Sequence, residues 1–293
     1  MKKLTKQLVI GFIGTGVMGK SMAAHILGAG FPLVVYNRTK EKAIDLIQRG
    51  AKWADTPREV AEASDVVITI VGYPSDVEGI YLGENGILQY MKQGSVAIDM
   101  TTSSPKLAVE IYGKGVDKGI SVLDAPVSGG DIGAKEARLS IMVGGEEESF
   151  EVIKPLLDLL GSNVVYQGKA GSGQHTKMCN QIAIASNMMG VTEALLYAKK
   201  SGLNPESVLK SITSGAAGSW SLSNLVPRMI DHDYAPGFYI KHFIKDLKIA
   251  LDSAKDMELR TPGLQLALSL YEELAMKGEE NSGTQALIKL LED

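Results

Sequence analysis

Cysteine is nearly absent from this 293-residue chain, which contains only Cys179. One cysteine excludes an intrachain disulfide framework and any metal site built from several thiolates, and it is typical of a reducing compartment. We therefore expect a cytoplasmic protein. The 4 histidines lack the spacing of metal ligands and no HExxH motif is present, so we expect no metal site.

Long apolar runs and an excess of one charge are also missing. No segment reaches the roughly 18 uninterrupted apolar residues that indicate a membrane-spanning helix. Lysine and arginine number 30 against 34 aspartate and glutamate, no long block carries one sign, and the net charge is only −4. A chain with this charge distribution is not expected to bind nucleic acid or anionic membranes.

Short β-branched runs alternate with helical stretches from residue 8 to about residue 166. This alternation is typical of a parallel sheet covered by helices and predicts an α/β domain. The predicted strands are Leu8–Ile13, Leu33–Tyr36, Val66–Val71, Val96–Asp99, Val122–Leu123, Ser140–Val143 and Val164–Tyr166.

The strand pattern stops after residue 168. A long helical stretch follows from about Gln174 to Lys200, and helical segments separated by clusters of glycine, proline and serine make up the remainder. At about 1.5 Å per residue the long helix is expected to span roughly 40 Å, enough to connect two domains. We predict a doubly wound Rossmann domain over residues 1–168 and, over residues 169–293, this helix followed by an all-α domain.

The first predicted strand leads directly into a GxGxxG motif, whose residues are Gly14, Thr15, Gly16, Val17, Met18 and Gly19. In a dinucleotide-binding fold the first glycine makes a tight turn, the second lets N–H groups approach a pyrophosphate, and the third allows close packing. Residues 14–21 fit the phosphate-loop pattern GxxxxGK[ST] equally well, with Lys20 on phosphate and Ser21 on magnesium. A nucleotide triphosphatase or kinase is therefore a rival interpretation.

The end of the second strand distinguishes the two interpretations, because a dinucleotide fold recognises the adenosine ribose there. About 20 residues past the glycine loop, where NAD-binding proteins carry an acidic residue for the 2′-hydroxyl, the chain reads Asn37-Arg38-Thr39. A guanidinium beside neutral hydrogen-bonding side chains suits a 2′-phosphate. We therefore predict a nicotinamide dinucleotide cofactor, with NADP favoured over NAD.

Two further segments carry candidate catalytic groups. The segment from Asp124 to Gly130, DAPVSGG, ends a strand in a turn rich in backbone N–H groups, which can hold a carboxylate. At the start of the long helix, Lys177, Asn180 and Gln181 stand at i, i+3 and i+4 and point to one face. Polar side chains on an otherwise apolar helix face are costly to bury, which indicates a functional role.

Four spaced motifs together resemble the β-hydroxyacid dehydrogenase family over nearly the whole chain: GFIGTGVMG, DAPVSGG, GSGQHTKMCNQ and Ile244-Lys245-Asp246-Leu247. This family includes 3-hydroxyisobutyrate dehydrogenases, tartronate semialdehyde reductases and glyoxylate or succinic semialdehyde reductases. The resemblance implies an NAD(P)-dependent oxidoreductase that interconverts a small β-hydroxyacid and its semialdehyde or keto acid. It also favours dinucleotide binding over the phosphate-loop interpretation.

The resemblance assigns roles to individual residues. It implies that Lys177 is the catalytic general acid and base, giving a proton to the carbonyl oxygen in reduction and removing the hydroxyl proton in oxidation. It implies that Asn180 orients the substrate and that Ser128, Gly129 and Gly130 bind the substrate carboxylate. Contacts with the cofactor are implied for Val71, Gly72, Thr102 and Lys245, with Asp246 close to Lys245.

The chain departs from the family pattern at two places. Many members carry an asparagine four residues after the lysine, where this chain has Gln181. After the third predicted strand many members show Leu-Pro, whereas this chain has Val71-Gly72-Tyr73-Pro74.

Other activities of related architecture fit the sequence less well. Enzymes like 6-phosphogluconate dehydrogenase have a much longer helical domain, and imine reductases generally replace the lysine. A non-catalytic dinucleotide-sensing module should lack the lysine or carry extra segments. We expect a small hydroxyacid or semialdehyde as substrate, and a homodimer or homotetramer.

Overall fold

A computed structural model describes residues 5–292 of the chain. The chain divides into two compact units, Met1–Lys177 and Met178–Asp293, each of which is considered by itself. The predicted domain boundary after residue 168 stays a prediction.

The first unit contains a nine-stranded sheet whose order is β3-β2-β1-β4-β5-β6-β8-β7, with β9 paired to β8. The pairs β1–β2, β1–β4, β2–β3, β4–β5, β5–β6 and β8–β9 are parallel. The strands are β1 Ile10–Ile13, β2 Leu33–Tyr36, β3 Lys52–Trp53, β4 Val66–Thr69, β5 Val96–Asp99, β6 Ser121–Asp124, β7 Val127–Ser128, β8 Ser140–Gly144 and β9 Asn163–Gly168.

Burial on both faces explains why the strands read as continuous apolar runs. In β1, Ile10 and Phe12 belong to one hydrophobic cluster and Ile13 to a second one. Neighbouring β2 shows the same alternation, with Leu33 in the first cluster and Val34 in the second. Because successive side chains of a strand point to opposite faces, the two clusters lie on opposite sides of the sheet.

The sheet contains antiparallel pairs beside its parallel ones. Strand β8 pairs antiparallel with both β6 and β7. The two-residue strands β3 and β7 were not predicted. The predicted α/β class with a Rossmann-type sheet is confirmed.

Two helices of the first unit begin at side-chain caps. The hydroxyl of Thr56 accepts a hydrogen bond from the N–H of Glu59 at 3.2 Å, and that of Ser104 from the N–H of Leu107 at 3.4 Å. A proline follows each of these two caps, at the first helical position where its missing N–H costs nothing. The helices are α1 Gly19–Gly28, α2 Ile44–Gln48, α3 Pro57–Ala63, α4 Pro74–Leu82, α5 Pro105–Val116, α6 Gly130–Lys135 and α7 Glu147–Leu157.

A 29-residue helix, α8 Ser172–Lys200, begins in the first unit and continues into the second. The chain then turns through Gly202, whose φ of +76° favours glycine. The second unit is helical as predicted, and its apolar side chains form two clusters. Its remaining helices are α9 Pro205–Ile212, α10 Trp220–Asn224, α11 Val226–Ile230, α12 Ile240–Asp256, α13 Pro262–Leu274 and α14 Ile288–Leu291.

Candidate active site

The glycine loop connects β1 to α1 by a tight turn. Gly14 has a φ of +102°, and its N–H donates to the carbonyl oxygen of Tyr36 at 2.9 Å. A Cβ at Gly14 would collide with the carbonyl oxygen of Ile70, and one at Gly19 would collide with that of Gly14. Glycine is required at both positions because the backbone approaches itself too closely for any side chain.

The middle of this turn is open. A Cβ at Gly16 would meet no atom within 4 Å, so the backbone there can be approached from outside. Helix α1 has no side-chain N-cap, and an uncapped helix N-terminus favours anions. The buried hydroxyl of Thr15 has no hydrogen-bond partner among residues 5–292. This open turn fits the pyrophosphate of a dinucleotide.

The lysine that the phosphate-loop interpretation would place on a phosphate has another partner. The ammonium of Lys20 forms an ion pair with Asp45 on α2. This contact directs the side chain away from the role that a phosphate-loop lysine performs.

The end of β2 is tied to the glycine turn. The side-chain oxygen of Asn37 accepts a hydrogen bond from the N–H of Thr15 at 3.0 Å, and its amide donates to the carbonyl oxygen of Thr39 at 2.9 Å. Arg38 follows, with 78% of its side chain exposed and one guanidinium nitrogen 3.2 Å from Asp76. The structure thus places a guanidinium directly after the residue that holds the glycine turn.

A buried threonine links the loops that follow β4 and β5. The hydroxyl of Thr101 accepts a hydrogen bond from the N–H of Val71 at 2.9 Å. Gly72 and Thr102, the other predicted cofactor contacts in these loops, stand one residue beyond. Sequence analysis missed Thr101, because the sequence of two consecutive threonines does not indicate which hydroxyl points into the protein interior.

Two carboxylates lie side by side at the carboxyl ends of neighbouring strands, since Asp99 on β5 is in register with Asp124 on β6. Burial raises the pKa of each to about 6, against the lowering effect of their hydrogen bonds. Asp99 accepts hydrogen bonds from the Thr69 hydroxyl at 2.8 Å and the Thr101 N–H at 3.1 Å. Both side chains therefore support the surrounding loops from inside.

Asp124 also holds the start of α8. Its two oxygens accept hydrogen bonds of 2.8 Å from the N–H groups of Gly171 and Gln174. The first turn of α8 lies so close to the sheet that a Cβ at Gly173 would collide with the carbonyl oxygen of Met142. These contacts fix the helix one turn before Lys177.

The turn after β7 has the backbone that its glycines suggest. Gly129 and Gly130 have φ values of +128° and +64°, a region that other residues rarely adopt. Ser128 precedes them at the end of β7. The carboxylate-binding role of this turn stays a prediction.

Lys177 is buried, with 6% of its surface exposed. Asn180 and Gln181 stand three and four residues later in the same helix and so share its face. The Asn180 amide donates to the side-chain oxygen of Gln181 at 2.7 Å. Because Gln181 is also buried, it acts as a fixed acceptor for Asn180.

Within the second unit the polar cluster continues to α12. The Gln181 amide donates to one oxygen of Asp246 at 2.7 Å, and the ammonium of Lys245 lies 2.9 Å from the other. Asp246 is therefore close to Lys245, as expected, and it connects Lys245 to Gln181. The contact of Lys245 with a cofactor stays a prediction.

Comparison with known families decides the class of protein. Residues 9–168 match the model of the NAD-binding domain of 6-phosphogluconate dehydrogenase, and residues 171–291 match that of the NAD-binding domain of NADP-dependent 3-hydroxyisobutyrate dehydrogenase. This chain belongs to the β-hydroxyacid dehydrogenase family. It is an oxidoreductase of that family, it acts on hydroxyl groups, and its cofactor is a nicotinamide dinucleotide.

Individual relatives agree with this assignment. The oxidoreductase YkwC of Bacillus subtilis (strain 168) is 62% identical over 281 residues, which cover 96% of this chain and 98% of YkwC. The 2-hydroxy-3-oxopropionate reductase of Escherichia coli (strain K12) is 40% identical over 284 residues, or 97% of each chain. The structure of Mycobacterium tuberculosis 3-hydroxyisobutyrate dehydrogenase with L-serine superposes with a TM-score of 0.90 at 28% identity, covering 98% of this chain and 100% of the other.

The likeness of this chain to imine reductases shows a common fold. The enzyme of Streptomyces aurantiacus superposes with a TM-score of 0.65 at 21% identity, over 97% of this chain and 100% of the other.

Within residues 5–292, no helix combines the length and apolar character needed to cross a bilayer. That part of the chain also brings together no three His, Cys, Asp or Glu residues suited to holding a metal ion.

Proposed function

We propose that this chain is an NADP(H)-preferring dehydrogenase that interconverts a small β-hydroxyacid and its semialdehyde or keto acid. The observation that carries the proposal is the buried Lys177 on α8, one turn after the backbone that Asp124 anchors and on the same helix face as Asn180. A buried ammonium, with the amide of Asn180 beside it to bind the substrate, suits proton transfer to a carbonyl oxygen of the substrate.

The proposed chemistry divides between cofactor and protein. The bound nicotinamide supplies or accepts the hydride. In reduction, the Lys177 ammonium donates a proton to the carbonyl oxygen as that oxygen gains negative charge. In oxidation, the neutral Lys177 amine removes the hydroxyl proton. Asn180 holds the same oxygen in position, and Gln181 restricts the rotation of the Asn180 amide.

In this proposal, loops of the first unit hold the substrate carboxylate and the cofactor pyrophosphate. Ser128, Gly129 and Gly130 bind the substrate carboxylate through the serine hydroxyl and exposed N–H groups. The open turn at Gly16 receives the pyrophosphate. Thr102 and Lys245 contact the cofactor, as the family resemblance implies.

The preference for NADP(H) rests on the end of β2. No acidic residue stands among Asn37, Arg38 and Thr39, so this segment offers the ribose 2′-hydroxyl no carboxylate acceptor. The exposed guanidinium of Arg38 can instead bind a 2′-phosphate.

Absorbance at 340 nm tests the proposal directly. Purified protein is mixed with NADPH or NADH and with glyoxylate, succinic semialdehyde, methylmalonate semialdehyde or tartronate semialdehyde. We expect oxidation with at least one substrate and faster turnover with NADPH. An NADH preference would retain the enzyme class but contradict the role of Arg38. Tight NADPH binding without any turnover would contradict the substrate class.

We also propose that the protein forms a homodimer or homotetramer, because families with a small helical domain of this kind commonly pair through it. Light scattering of the purified chain tests this prediction, and a monomeric mass would contradict it. The cytoplasmic location stays a prediction.

A further inference from the structure

The guanidinium of Arg38 is engaged by a carboxylate from a different element. One of its nitrogens lies 3.2 Å from an oxygen of Asp76, in the first turn of α4. The other Asp76 oxygen accepts a hydrogen bond from the N–H of Tyr73 at 3.1 Å. Only 22% of the Asp76 side chain is exposed, so its carboxylate is held in place by the start of α4.

This ion pair lies where a dinucleotide fold distinguishes its two cofactors. Asn37, one residue before Arg38, is bonded to the N–H of Thr15 in the glycine turn. An arginine at this place accommodates a 2′-phosphate, whereas a carboxylate accepts the 2′-hydroxyl of NAD. Here Arg38 comes from the end of β2 and the carboxylate of Asp76 comes from α4.

We propose that Asp76 determines cofactor specificity by weakening the preference for NADP(H) that Arg38 alone would give. The proposal rests on the proposed function, because it concerns the same cofactor site. A 2′-phosphate that binds Arg38 must compete with the carboxylate for the guanidinium. Because the phosphate carries a charge of about −1.5 to −2 at neutral pH, it is also repelled by the neighbouring carboxylate. The 2′-hydroxyl of NAD(H) meets no such repulsion and can donate to Asp76.

The substitution Asp76→Asn separates this role from the structural one. An asparagine keeps one oxygen that can accept from the N–H of Tyr73, so the start of α4 is retained. Its other group is an uncharged NH2, which neither binds nor competes for Arg38. The matched control is Glu78→Gln, which removes the same charge from an exposed position of the same helix.

The experiment measures dissociation constants by calorimetry for four nucleotides: NADPH, NADH, adenosine 2′,5′-bisphosphate and AMP. In the Asp76→Asn variant we expect NADPH and the bisphosphate to bind about threefold to tenfold more tightly. NADH and AMP should bind equally well or somewhat more weakly. The gain should shrink at about 0.5 M NaCl, because salt screens exposed charges, and Glu78→Gln should behave as wild type.

The outcomes separate this inference from the proposed function. An unchanged ratio of NADPH to NADH affinity in Asp76→Asn would overturn the inference alone. Weaker NADPH binding in that variant would also overturn it, because Asp76 would then position Arg38 for the phosphate. A wild-type chain that binds none of the four nucleotides would overturn the proposed function and this inference together.

Discussion

The side-chain amide of Gln174 donates a hydrogen bond of 2.7 Å to the carbonyl oxygen of Thr101. Its oxygen accepts one of 2.9 Å from the N–H of Ser103. Gln174 is fully buried in the first turn of α8, three residues before Lys177. This one side chain therefore joins the loop after β5, which contains Thr102, to the helix that carries the proposed catalytic lysine.

Replacing Gln174 by leucine should impair both stability and turnover. The change leaves a buried N–H and a buried carbonyl without their partner, which is expected to cost about 2–4 kcal/mol in the free energy of unfolding. We also expect kcat to fall about tenfold to a hundredfold, because small displacements of a catalytic group are costly. Urea unfolding and the 340 nm assay measure the two effects.

Gln285→Leu provides the control for this substitution. Gln285 is likewise buried, and its amide donates to the carbonyl oxygens of Asp233 and Ala235 at 2.9 and 3.1 Å. The Gln285→Leu variant should lose about as much unfolding free energy as Gln174→Leu and keep the wild-type kcat. Equal loss of kcat in both variants would show that Gln174 contributes only to folding.

The buried carboxyl of Asp99 should make stability depend on pH. Burial raises its pKa from the ordinary 3.8 to about 6. The folded protein therefore binds this proton more tightly than the unfolded chain, so the stabilising effect is complete only well below pH 3.8 and is lost as pH rises through about 6. A shift of about two pKa units corresponds to about 3 kcal/mol.

Asp99→Asn isolates this effect, because the asparagine oxygen can still accept from the Thr69 hydroxyl and the Thr101 N–H. The unfolding free energy of wild type, minus that of the variant, should decrease by about 2 kcal/mol between pH 4 and pH 6.5, which is most of the full effect. Urea titrations at several pH values measure it. A difference that stays constant with pH, or increases, would contradict the proposed cause.

Buried strands are the ones whose bounds sequence analysis predicted best. Leu33–Tyr36 and Val96–Asp99 have the same bounds in the structure as in the prediction, because a buried strand requires a continuous apolar run. Strands of two residues, such as Lys52–Trp53, are too short to show any periodicity. The antiparallel pairing of Ser140–Gly144 depends on partners distant in sequence and leaves no local pattern.

The residues of the candidate site likewise include some that local sequence patterns predicted and some that only the structure reveals. Glycine spacing and the polar face of α8 are local features, so the motifs predicted Gly14, Gly16 and Lys177. The supporting side chains Thr101 and Gln174 become recognisable only when their burial and their backbone partners are known. The ion pair between Arg38 and Asp76 joins residues 38 positions apart, which no single-sequence pattern could predict.

We expect Gln181 to affect substrate binding through the two side chains that it connects. It accepts from Asn180 and donates to Asp246, each at 2.7 Å. Gln181→Leu removes both contacts and leaves the buried Asp246 carboxylate without one donor. We expect KM for the substrate to rise about tenfold, because the Asn180 amide is no longer held. Steady-state kinetics on the best substrate of the panel measures this change.

The shorter Gln181→Asn variant tests the geometry of that connection. Its side chain lacks one methylene and is not expected to reach Asn180 and Asp246 at once, so its KM should lie between wild type and leucine. Gln285→Leu again controls for lost stability. A KM unchanged in both Gln181 variants would mean that Asn180 is oriented without Gln181.

Lys177 should be essential for turnover and dispensable for cofactor binding. Removing a general acid typically costs a factor of about 10² to 10⁴, so Lys177→Ala should lose kcat by that amount. The dissociation constant of NADPH, measured by nucleotide fluorescence, should change by less than about threefold. Lys200→Ala removes an exposed lysine from the last turn of the same helix and should leave both quantities unchanged.

Lys177→Arg distinguishes proton transfer from simple charge. An arginine keeps the positive charge, but its pKa above about 12 prevents it from acting as a base near neutral pH. If Lys177 transfers the proton, hydroxyacid oxidation should be lost as completely as in Lys177→Ala. If the residue supplies only positive charge to the developing oxyanion, the arginine variant should retain a substantial part of the reductase activity. Retention of wild-type oxidation by either variant would assign the proton transfer to another group.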